Sequence, residues 1–170
     1  MKFIRIIISL LTVCLLCCGC ASRALSDSVP VAEAGYTCNG EINLGDDFYA
    51  DALISVNGGG VLSLEFTSPK VLEGMKFSTN RDSINITYKG IECPVGLNDE
   101  YSSLIKTISE AFLKITSGEP VAVKETRGYV ITGTVMSLDF EFLFNDEGFP
   151  LRLSIPSKNL IVEFSNWQYV

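Results

Sequence analysis

Histidine is absent from this 170-residue chain, and with it go the Ser/His/Asp and Cys/His nucleophile systems, which need an imidazole to carry the proton. Basic residues are scarce: 13 Lys and Arg stand against 20 Asp and Glu, a formal charge of −7. That balance repels nucleic-acid phosphates and anionic lipid headgroups alike, so no nucleic-acid partner is expected. Gly58-Gly59-Gly60 lacks the following helix and Lys-Ser/Thr of a phosphate loop, which leaves a hairpin as its reading. Asp46, Asp47 and Asp51 cluster without EF-hand spacing, and calcium wants six or more oxygens. Asp139 and Glu141 alternate with Leu138, Phe140 and Phe142, which puts both carboxylates on the solvent face of a strand rather than in an acid/base pair. No metal, no cofactor and no catalysis are expected. The longest apolar run near the start, Ile6 to Leu16, is shorter than the ~20 residues of a spanning helix.

That run follows Lys2 and Arg5 and leads into CLLCCGC, residues 14 to 20, which holds four of the six cysteines. A basic start, a short apolar core and a small residue before a polar flank describe an export signal. A thiolate metal site needs a folded scaffold, which such a segment does not offer. Leu16-Cys17-Cys18-Gly19-Cys20 resembles the lipobox of bacterial lipoproteins, with Cys17 where Leu is commonest. The resemblance implies cleavage before Cys20 and attachment of diacylglycerol to it, so that residues 1–19 are a signal peptide and the membrane is reached through the lipid. The competing outcome is ordinary cleavage near Ala21 or Ala24, releasing a soluble protein; only Cys20 combines a preceding small residue with a polar flank, which favours the lipid. Residues 20–35, small, polar and without apolar period, read as a flexible tether.

From Tyr36 onward one domain is expected, reaching to Val170. Phe48, Ala50, Ala52, Ile54 and Val56 share one face of a strand; Leu62, Leu64 and Phe66 resume beyond the glycine hairpin. Met75 to Thr79 and Ile84, Ile86 and Tyr88 form another pair. Between Tyr101 and Ile115 the period changes to three and four, the mark of one amphipathic helix. Asn98 or Asp99 offers a cap for its start; Gly118 and Pro120 mark its end. Alternation returns at Val121 to Glu125, Tyr129 to Val135, Leu138 to Phe144, Leu151-Leu153-Ile155 and Leu160-Val162-Phe164, while Trp167 and Tyr169 either meet an interface or finish the last strand. The class is α+β, mainly β: an antiparallel sheet of about ten strands. A sheet roughly 45 Å wide cannot be covered by one helix about 22 Å long. It must therefore curl into a half-barrel with a lid helix across its concavity.

Phe66-Thr67-Ser68-Pro69 with Leu72-Glu73-Gly74, Tyr88-Lys89-Gly90-Ile91 and Asp146-Glu147-Gly148-Phe149-Pro150 resemble segments of small lipoproteins in the lipoprotein-carrier superfamily (LolA-like and LolB-like proteins). The likeness implies a curled sheet that holds an acyl chain; some relatives instead serve as partners or regulators of envelope enzymes. On the residue pattern, Leu62, Leu64, Phe66, Ile84, Ile86, Phe140, Phe142 and Phe144 line the concavity and Ile108 and Phe112 close it. Phe142→Asp is then expected to abolish uptake while leaving the sheet folded. Two functional readings stay open: binding of an acyl chain or other apolar ligand, and a non-catalytic module docking an envelope protein such as a peptidoglycan-processing enzyme. Either way the protein is expected outside the cytoplasm, on the outer face of the cytoplasmic membrane or on the outer membrane where the cell has one. Cys38 and Cys93 are expected to form a disulfide in an oxidising compartment, the alternative being two separate thiols.

Overall fold

Among the described residues, alternating side chains write eleven strands into one antiparallel sheet, and one α-helix lies between the strands of its two edges in sequence. The computed structural model describes residues 35–57, 62–80, 83–94, 100–116, 121–125 and 128–170. The export signal, Cys20, the tether up to Ala34, the Gly58-Gly59-Gly60 turn and both expected helix-end signals lie outside them. The strands are β1 (Tyr36–Leu44), β2 (Phe48–Val56), β3 (Leu62–Ser68), β4 (Met75–Asn80), β5 (Ser83–Tyr88) and β6 (Ile91–Pro94). After the helix α1 (Glu100–Thr116) come β7 (Val121–Glu125), β8 (Gly128–Val135), β9 (Leu138–Phe144), β10 (Pro150–Ile155) and β11 (Leu160–Tyr169).

The spatial order is β6-β5-β4-β3-β2-β1-β11-β10-β9-β8-β7. From Tyr36 the sheet thus begins at the middle, meanders to one edge, resumes after α1 at the other edge and meanders back. β1 and β11 meet at the centre, and Val170 N–H donates to the Gly35 carbonyl at 3.0 Å, which places both ends of the domain side by side. Because β6 and β7 do not pair, the barrel stays open.

Burial follows the alternation. Ala50, Ala52, Ile54 and Val56 of β2 and Leu62, Leu64 and Phe66 of β3 are buried, while Tyr49 and Leu53 face outward. The helix turns Leu104, Ile105, Ile108, Ala111, Phe112 and Ile115 onto the same core. It touches β4 through Ser109 and both β9 and β11 through Phe112. Four inter-strand steps separate β4 from β11, roughly 19 Å in a flat sheet, against a helix diameter of about 10 Å. Contact with both requires the curl expected from the sequence.

Three register shifts interrupt the pairing among the described residues: one adds Thr67 to β3 opposite Asp51 and Ala52, and the other two reset inward-facing positions. Between Pro150 and Arg152 the β9–β10 register shifts, so that Pro150 is buried and Leu151, expected inward with Leu153 and Ile155, is only half-buried. Between Thr37 and Asn39 the β1–β11 register gains a residue on β11, where Asn166 takes a positive φ of 55°. That bulge brings Trp167 round to stack on Phe149, and Tyr169 follows, at centroid distances of 5.8 and 5.1 Å. Both aromatics therefore finish the last strand.

Candidate functional site

The residues expected to line the concavity are brought together. Leu62, Leu64, Phe66, Ile84, Phe140, Phe142 and Phe144 are buried in one cluster with Ile108 and Phe112 of the helix, and Ile86 packs on its margin half-buried. Among the described residues their rings pack against one another. Phe112 meets Phe142 edge-on at 4.9 Å and Phe164 at 5.7 Å, while Phe142 lies stacked between Phe144 at 4.7 Å and Phe164 at 5.7 Å. A second aromatic chain, Phe48 to Phe66 to Phe77, fills the β2–β4 side. With the helix seated, the wall is closed by its own rings. Phe77 and Phe164 belong to this wall beside the expected residues; alternation within β4 and β11 is the signal that points to them.

Space remains at the margin. A cavity of about 180 Å³ opens beside the N-terminal half of α1, lined by Leu44, Leu104 and Leu160 with Ser103, Thr107 and Lys158. Leu44 ends β1 and Leu160 begins β11, and the two adjoining turns are tied by the Gly45 N–H donating to the Asn159 carbonyl at 2.9 Å. On the other half of the sheet a shallower depression of about 380 Å³ involves Thr132, Thr134, Asp139 and Glu141. Its carboxylates sit on the outer face, as the alternation requires: Asp139 and Glu141 are exposed, and Asp139 accepts from the Thr134 hydroxyl at 3.3 Å. Asp46 and Asp47 stand exposed in the β1–β2 turn, and Asp51 accepts from the Tyr49 hydroxyl at 2.8 Å.

One buried polar contact fixes the helix to the sheet. The Thr79 hydroxyl accepts from the Leu62 N–H and donates to the Leu62 carbonyl, each at 3.1 Å, and accepts from the Ser109 hydroxyl at 2.9 Å. A hydroxyl has one proton and two lone pairs to give, so Thr79 is fully used. The Thr107 hydroxyl also lies 3.9 Å from the Met136 sulfur, a weak acceptor, and the remaining buried stripe of the helix is apolar. Thr79→Val keeps the shape, strands three polar groups and is expected to cost about 2–3 kcal/mol, read as a lower thermal midpoint and faster amide exchange across α1 relative to β1 and β2.

Cys38 is a free, buried thiol on β1. This corrects the expected Cys38–Cys93 disulfide: Cys93 lies on edge strand β6, opposite Ile86, with four strands between β6 and β1, whereas a bridge needs Cα atoms within about 7 Å. Burial pushes the Cys38 thiol from its ordinary 9.0 up to about 12, and burial together with Cys38 also raises the Tyr36 phenol. The folded state holds this proton after the unfolded chain has released it, so stability is retained below pH 9.0 and falls as pH rises towards about 12. At pH 8 the Cys38 peptide is expected to stay unalkylated by iodoacetamide until denaturant is added.

No protein-family model matches the chain, and no curated protein matches it. Among solved structures it is similar to an uncharacterized conserved protein from Thermus thermophilus, with a TM-score of 0.52, 11% identity and 85% of this chain and 84% of that one covered. The two share a fold. The chain is also similar to a LolA superfamily protein from Nitrosomonas europaea (TM-score 0.49, 10% identity, 85% and 90% covered). A domain described as an outer membrane lipoprotein-sorting protein, from Vibrio parahaemolyticus, follows at TM-score 0.43 and 8% identity, with 82% and 87% covered.

Proposed function

We propose that this protein is an extracytoplasmic lipoprotein, anchored through Cys20, that binds an acyl chain or another apolar ligand between the concave face and α1, without catalysis. The observation that carries the reading is the division of labour in the fold. One helix, joining two unpaired edges, covers the apolar wall, and its stripe of Leu104, Ile105, Ile108, Phe112 and Ile115 is what the wall touches. The 180 Å³ cavity is below the ≈300–1,000 Å³ of ordinary ligand pockets. Uptake is therefore an exchange in which the helix swings out and the ligand takes its place. The magnitudes permit it: the five stripe residues are worth about 1.5–3 kcal/mol each, and a sixteen-carbon chain brings about 0.8 kcal/mol per methylene. Gain and loss are of the same size, so a bound and an empty form lie within reach of each other. The first test is the native mass of the domain purified without detergent from its own host, compared with its denatured mass. A stoichiometric excess that extracts into chloroform supports the reading; an apo mass in every preparation, with no uptake of added fatty acid, contradicts it.

A second reading has its own observation: the closed concavity is filled by Phe112, Phe142, Phe144 and Phe164, as it would be in a module that binds no lipid. Such a module would dock an envelope protein, for instance a peptidoglycan-processing enzyme, through an outer face. Crosslinking in the native cell that recovers a single partner, together with an apo mass, favours it.

A further inference from the structure

The cavity beside α1 has a lining of mixed chemistry. Leu44, Leu104 and Leu160 supply apolar surface and Ser103, Thr107 and Lys158 polar groups, of which Thr107 is buried, Ser103 half-buried and Lys158 exposed. The Thr107 hydroxyl is spent: it donates to the Ser103 carbonyl at 2.7 Å. The Ser103 hydroxyl and the Lys158 ammonium are not; among the described residues neither has a side-chain partner. Lys158 is exposed in the one-turn 3₁₀ segment Pro156–Lys158. Asp46 and Asp47 stand on the turn tied to it, exposed to solvent, and among the described residues no ion pair joins them to Lys158. In a chain with 20 acidic groups against 13 basic ones, an unpaired cation and an unpaired hydroxyl above an apolar pit form a pair of donors with nothing to donate to.

Resting on the apolar-ligand reading above, we propose that this cavity is the mouth of the binding site and that it selects an anionic single-chain amphiphile. The carboxylate is met by Lys158 and, while α1 is seated, by Ser103; the chain enters over Leu44, Leu104 and Leu160 before displacing the helix, and Lys158, which is not on α1, keeps the headgroup as the helix leaves. An exposed cation on the lining of this 180 Å³ cavity is placed to hold a headgroup while the tail moves. It cannot itself enter the core without losing its hydration. Lys158 and Ser103 are positioning and specificity residues here, not catalytic ones.

The test uses dodecanoate and dodecanol, which share a chain length and differ in headgroup, measured by displacement of a fluorescent fatty-acid probe from the folded protein. Dodecanoate is expected to bind about five- to tenfold more tightly than dodecanol, the range of a partly screened charged hydrogen bond. Lys158→Gln is expected to remove the preference while leaving dodecanol unchanged, and the preference should weaken with added salt. Lys76→Gln, which removes the same charge from exposed β4, should change neither. Equal binding of both amphiphiles by the unmutated protein, or a preference that survives Lys158→Gln, overturns this inference and leaves apolar-ligand binding standing. Binding of neither overturns both.

Discussion

Phe142→Ala is expected to remove about 3–5 kcal/mol of stability and to lower the thermal midpoint by on the order of 10 °C. Phe142 is 0% exposed and sits where three aromatic contacts converge, with Phe144, Phe164 and Phe112. Truncation deletes a large buried area and leaves a hole that the stiff strands around it cannot close. It also removes the ring against which Phe112 seats the helix, so exchange of α1 amides should rise by more than global destabilisation explains. Phe142→Leu, which keeps most of the volume, should cost only about 1–1.5 kcal/mol. Equal losses for Ala and Leu would show that the packing described around this ring is not what stabilises the domain. The same burial revises the expectation for Phe142→Asp. A carboxylate cannot be held there without a partner, so that variant fails to fold and reports nothing about uptake.

Gly128→Ala is the second large effect. Gly128 opens β8 at φ 130°, a conformation that side chains avoid, and a Cβ added there would overlap the Phe144 carbonyl oxygen. Backbone strain of about 1–3 kcal/mol adds to a clash against main chain of β9, which has no flexible end to give way. The expected loss is about 2–4 kcal/mol, seen as a drop in the urea midpoint with an unchanged m-value. Gly45 provides the contrast: its φ is also positive, at 63°, but a Cβ there meets nothing within 4 Å, so Gly45→Asn should cost far less. Equal costs at the two positions would refute the role given to the Phe144 carbonyl.

What the sequence makes legible follows from what alternation measures. Strands β2 to β5 and β7 to β11 and the helix stand out because their inward positions are apolar and their periods differ. β1 does not, although it is central. Its inward positions include Cys38 and Gly40, and the δ carbon of Ile54 lies 2.5 Å from where a Gly40 side chain would begin. The neighbour's side chain supplies the apolar surface that the strand itself lacks. The four-residue edge strand β6 is too short to show a period. The bulges at Thr67, Leu151 and Asn166 are one-residue insertions in pairing, which a pattern with period two cannot register. The disulfide expectation failed for a related reason: counting cysteines is blind to strand order, and strand order puts Cys38 at the centre and Cys93 at an edge.

The candidate site divides in the same way. The wall residues are legible because they share a face. That they fill the concavity is not, since face-sharing carries no volume. The polar tie of Thr79 to Ser109, 30 residues apart in sequence, and the cavity joining Leu44, Leu104 and Leu160 depend on how the helix crosses the sheet, which no local period encodes.

The central claim is that ligand and helix compete for one wall. The Ser109 and Thr79 hydroxyl oxygens lie 2.9 Å apart, so Ser109→Cys combined with Thr79→Cys places two sulfurs where a bridge can close with α1 seated. Uptake of a fluorescent fatty acid by this variant, measured oxidised and then reduced, decides the matter. The account predicts at least about tenfold weaker binding in the oxidised form, with recovery on reduction to the level of the unbridged protein. Equal binding with the bridge closed and the bridge open would contradict it, because a ligand that binds under a locked helix does not take the helix's place.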